Sequence, residues 1–240
     1  MTRSFLSNAI TRTQKPEQQR SGSSDAKGHD LDWRAWYELH SRNELHNGAP
    51  EEGSSVYVVN SSKDITTNIN QASTSLKEFR VGPTYTGRIG SIGSPLRIMA
   101  ERLVIDNTSA EINIRGSFRD IHVINASSRV KVGGTSTSRL DRLMFKGGRC
   151  KADMFDGQCN RLIVGKGLTE VTAPAGITND NLLASVAGFD EIRCGKGSKV
   201  VTNSGVNDLN ASGHVVTTAT VYNARMLDGS KLTTESSSRS

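Results

Sequence analysis

The sequence predicts an all-β fold, a parallel β-solenoid (β-helix) with nine-residue half-coils, capped by a short N-terminal amphipathic helix. Three observations predict it. Apolar residues recur in pairs, one residue apart, at a nine-residue period from Leu103 onward. A turn-forming residue follows each pair at a fixed phase. The composition, 35% hydrophobic and only 5% aromatic, suits thin stacked layers of small side chains rather than a wide core.

In chain order, residues 1–29 are polar and short of apolar side chains. They cannot bury enough surface to offset the entropy of ordering, and they read as a disordered leader. Over residues 30–50 the character changes. Trp33, Trp36, Tyr37 and His40 recur at the spacing of one helical face. Asp30 or Asp32 caps the start of this helix, and Gly48 with Pro50 ends it. Both tryptophans of the chain lie on it, so it reads as a cap over the open end of the β-structure or as a partner-binding helix. A solenoid domain follows over 51–235. Its first part, to about residue 100, has one evident strand at 56–59 and then short apolar islands, which predicts irregular opening coils.

From Leu103 the blocks are regular. Their first and third positions are Leu103/Ile105, Ile112/Ile114, Ile121/Val123, Val130/Val132, Leu143/Phe145, Ala152/Met154 and Leu162/Val164. Period-two alternation over three residues is a very short strand, stable only when stacked on its own kind. The fifth positions are Asn107, Gly116, Asn125, Gly134, Gly147 and Asp156, types that tolerate positive φ and so predict a turn in each block. Two blocks make one coil between two parallel sheets, with a three-sided coil as the alternative. The ninth position is charged in nearly every block, and two-block stacking sets Asp120 beside Arg142 and Lys151 beside Glu170. The repeat slips at 177–190, resumes, and ends in a flexible tail over 236–240.

The same residues narrow the function. The net charge of +6 is spread among interspersed signs with no run of five like charges, so there is no specific nucleic-acid signal. No apolar stretch approaches the ~20 residues of a membrane-spanning helix. Cys150, Cys159 and Cys194 lack metal-ligand spacing and read as reduced, buried thiols. No phosphate-binding glycine loop, zinc-protease helix, nucleophile elbow or calcium-binding nonapeptide is present. The outward strand positions are Val104, Asn113, His122, Lys131, Met144, Asp153 and Ile163. Two-block coils put His122 and Asp153 on opposite sheets, and no stacked outward pair of carboxylates suits glycoside hydrolysis. No catalytic residue, metal ligand or cofactor is therefore expected.

The first acidic residue of the chain is Glu17, after Arg3, Arg12 and Lys15. In this acid-poor, Ser/Thr/Asn/Gln-rich composition the leader resembles those of bacterial type III secretion substrates. The resemblance implies export without a signal peptide, since an unfolded leader can enter a narrow channel. The sequence thus reads as a non-catalytic β-solenoid interaction protein, exported as a bacterial effector or accessory protein. Candidate residues for binding a protein partner are Trp33, Trp36, Tyr37, Asn113, Lys131, Arg142 and Arg161. One alternative is a structural scaffold or virion protein that associates end to end. The other is a polysaccharide-active enzyme with its site in the irregular opening coils.

Overall fold

A computed structural model describes residues 52–59, 62–65, 70–106, 109–126, 129–135, 140–178 and 188–235. The expected leader, the helix bearing Trp33, Trp36 and Tyr37, and the C-terminal tail lie outside the described residues, as does most of the 177–190 slip.

The chain is an all-β parallel solenoid of about eight turns. It opens with β1 (Ser55–Val58) and three long strands, β2 (Asn70–Val81), β3 (Leu96–Asp106) and β4 (Ile112–Ile124). Eleven shorter strands follow: β5 (Arg129–Gly133), β6 (Arg142–Lys146), β7 (Lys151–Met154), β8 (Arg161–Val164), β9 (Glu170–Ala173), β10 (Gly188–Cys194), β11 (Lys199–Thr202), β12 (Gly205–Ala211), β13 (His214–Thr217), β14 (Val221–Met226) and β15 (Lys231–Thr234). The two ends of β4 diverge. Ile112–Arg115 pairs with β5 and starts the ladder β5-β7-β9-β11-β13-β15, the odd face. Asp120–Ile124 pairs with β6 and starts β6-β8-β10-β12-β14, the even face. Two strand segments per coil is the two-block arrangement that the sequence predicts.

The apolar pairs stack in columns. On the even face one column runs Val56, Phe79, Leu103, Ile121, Leu143, Leu162, Ile192, Leu209 and Ala224. On the odd face its counterpart runs Ile65, Ile89, Ile112, Val130, Ala152, Val171, Val200, Val215 and Leu232. Both columns belong to one buried core, except at its last rung. Burying a branched aliphatic side chain stabilises by roughly 1.5–3 kcal/mol, so repetition supplies what one four-residue strand lacks.

In the opening coils β2 and β3 stack on β4 with one register shift between Gln71 and Ser75, and the odd face is held by the isolated bridges Ile65–Ile89 and Ile89–Ile112. One expectation is corrected. The turn expected at Gly116 is absent, because β4 continues through it. Gly116 lies against Ile98 of β3, where a Cβ would sit 1.7 Å from the Ile98 carbonyl oxygen. Close backbone approach demands this glycine, not positive φ. Asn125 (φ 48°) and Gly147 (φ 83°) do make the expected turns, whereas in the next block Gly157, not Asp156, has positive φ.

Candidate functional site

The strand register decides which side chains share a surface. Asn113 and Lys131 are neighbours on the odd face, while Arg142 and Arg161 are neighbours on the even face. The candidate residues within the described chain thus form two separate pairs on opposite faces. Asn113 occupies an outward position yet is only 1% exposed, and its Oδ1 has no hydrogen-bond partner. The Lys131 ammonium lies 4.7 Å from the centre of the Phe155 ring, and the Arg115 guanidinium lies 5.6 Å from the same ring. Arg115 is further held by the carbonyls of Gly134 and Asp156 at 3.1 and 2.9 Å. These cations are engaged within the fold.

The even face carries an outward stripe of Val104, His122, Met144 and Ile163, aligned by the register of β3, β4, β6 and β8. Val104 is buried, while Met144 and Ile163 are partly exposed at the middle of the face. Along one margin run Asp120, Arg142 and Arg161. Arg142 donates to both Asp120 carboxylate oxygens, at 3.0 and 3.2 Å, a bidentate bond that raises the arginine pKa further. Arg161, one rung on, has no ion-pair partner among the described residues, and neither do Lys146 and Lys166 on the other margin. Lys146 and Lys166 belong to adjoining coils: β-carbons added at Gly147 and Gly165 would lie 3.6 Å from the Lys166 carbonyl oxygen and 3.7 Å from the Lys146 Cα.

His122 sits within this stripe. Its Nε2 is buried without a hydrogen-bond partner. Burial lowers its pKa below the usual histidine value, and Lys146 lowers it further against the opposing pull of Asp120. A ring nitrogen that solvent does not reach is poorly placed to exchange protons with a soluble substrate. The three thiols are buried and form no disulfide, and burial raises Cys150 and Cys159 to about 12 and Cys194 to about 11. They are weak nucleophiles at neutral pH.

A cleft of about 530 Å³ lies at the bend of the long strands, lined by Ser75, Met99, Ser117, Phe118, Glu101, Arg119 and Asp141. Arg119 contacts Asp141 there at 3.4 Å. Among the described residues no three His, Cys, Asp or Glu side chains gather closely enough to hold a metal ion, and no helix is long and apolar enough to cross a membrane.

No protein-family model matches the chain, and searches of curated proteins and of solved structures return no match. The surface therefore speaks through its own chemistry. Lys146 and Lys166 were invisible as site residues in the sequence because they fall at block positions four and five, which read as turns. The signal that could have found them is the apolar residue between two core positions, at Met144 and again at Ile163.

Proposed function

We propose that the protein is a non-catalytic interaction module that binds a protein partner across the even face. In this reading it reaches that partner outside the producing bacterium, exported by a signal-peptide-independent, type III-like route. The carrying observation is the pair Met144 and Ile163, set outward on a stacked sheet and bordered by Arg161, Lys146 and Lys166, cations with no ion-pair partner among the described residues. A partner that fits presents an apolar strip bordered by carboxylates. Desolvation of the central side chains supplies affinity, and the charges steer approach. Support for export rests on the acid-poor composition of the leader.

The test compares the full chain with a Met144→Glu/Ile163→Glu variant as baits in host-cell extract. Both positions point away from the core, so the variant keeps the circular dichroism of the parent. A partner enriched on the parent, lost on the variant and weakened by added salt supports the reading. Identical capture by the two baits excludes this face.

A further inference from the structure

Among the described residues, β14 and β15 are hydrogen-bonded on one side only, to β12 and β13. Tyr222, Met226 and Leu227 are 57%, 36% and 52% exposed there, whereas Val56, Val58 and Ile65 at the opposite end are buried. The C-terminal end presents two strand edges together with exposed apolar side chains, a combination that recruits further strands.

The edge strand is self-complementary. The run Val221-Tyr222-Asn223-Ala224-Arg225-Met226-Leu227 is palindromic in polarity about Ala224. Laid antiparallel on its own copy about that residue, Tyr222 faces Met226 of the second copy, Val221 faces Leu227, and Asn223 faces Arg225. No like charges meet, and the exposed apolar side chains cover one another. The backbone agrees with this centre. Val206 N–H donates to the Thr220 carbonyl at 3.0 Å and Leu227 N–H to the Ala211 carbonyl at 2.9 Å, so the alternation shifts by one near Tyr222, and beyond it Ala224 and Met226 turn their N–H and C=O groups to the open edge. Ala224 can then exchange both hydrogen bonds with its own copy.

β15 repeats the pattern. Antiparallel about Thr233, Lys231 falls opposite Glu235 of the second copy, an opposite-sign pair formed twice. Both side chains are exposed. A two-fold axis normal to the two faces sets each edge strand on its own copy.

We propose that the C-terminal end of the solenoid is a homodimerisation surface, joining two copies through antiparallel pairing of β14 about Ala224 and of β15 about Thr233. An isologous contact uses the same patch on both copies, so this one stops at two copies and builds no filament. It stands apart from the partner surface on the even face, and the variants below leave Met144 and Ile163 untouched.

Sedimentation velocity of the full chain across a concentration series tests it. The expected result is a species of twice 25.9 kDa and nothing larger. Tyr222→Lys/Met226→Lys abolishes the dimer without loss of circular dichroism. Lys231→Glu weakens it, and Lys231→Glu/Glu235→Lys restores it. A monomer at every concentration, growth beyond the dimer, or a dimer that survives Tyr222→Lys/Met226→Lys overturns the proposal. A monomer whose Ala224 and Met226 amides resist hydrogen exchange assigns the edge to another segment of the same chain, and also overturns it.

Discussion

His122 shows how a single side chain reports its place in a stacked sheet. It stands between Val104 and Met144 in the outward stripe, and burial favours its neutral form. Unfolding releases it to the ordinary histidine value of 6.5, so below that pH the unfolded chain binds a proton that the native chain resists. The stability contributed by neutral His122 is full above pH 6.5 and is lost as the pH falls through that value towards the lower native one. The melting temperature of the parent should therefore drop more between pH 7.5 and 5 than that of a His122→Gln variant. Equal drops in both proteins would mean that the ring is freely solvated. Gly116 is a second informative residue, because the same letter serves two physical purposes. A glycine that admits positive φ and a glycine that admits a neighbouring carbonyl look alike until the adjacent coil is placed.

The strands explain how far the fold could be read. From β6 to β9 each rung is short, flanked by turn residues and spaced by nine or ten, so period, face and stacking order all follow from the letters. β2, β3 and β4 have 12, 11 and 13 residues, and β4 carries both faces of a coil without punctuation between them. In the coils before it the odd-face positions Ile65 and Ile89 stand apart from the long strands, so the nine-residue spacing is not visible there. The core positions of β4 were legible all the same. Ile114 is 0% and Val123 1% exposed, one near each end of the strand. Aspartate at either site leaves an unpaired charge in a core with no room for water, a loss of several kcal/mol. Circular dichroism and thermal melting of Ile114→Asp and Val123→Asp should show an unfolded chain, while Thr172→Lys, at an exposed odd-face position beside Asp153, melts like the parent. The candidate surface was less legible than the core. Charge alone drew attention to Arg142 and Lys131, but Asp120 occupies the first and Phe155 engages the second. Which cations are spent on neighbours depends on pairs distant in sequence.

At the scale of the described residues the solenoid is a rod: nine rungs at ~4.8 Å give a length of about 38 Å. Export of such a body through a narrow channel requires a leader without a stable fold. Residues 1–50 fused to a translocation reporter should cross in a bacterium with a type III system and fail in a secretion-deficient strain. Equal signal, or none, in both strains would sink the export half of the reading and advance the scaffold reading. The core column takes far more residues between Leu162 and Ile192 than between Ile192 and Leu209, yet both steps join neighbouring rungs in unbroken register. Strictness is thus confined to the few residues of each rung, where a slip by one exchanges core for solvent. The corners keep no count. A lineage carrying this fold can lengthen or trim its corners freely, so its members would diverge in length and alignment long before they diverged in shape.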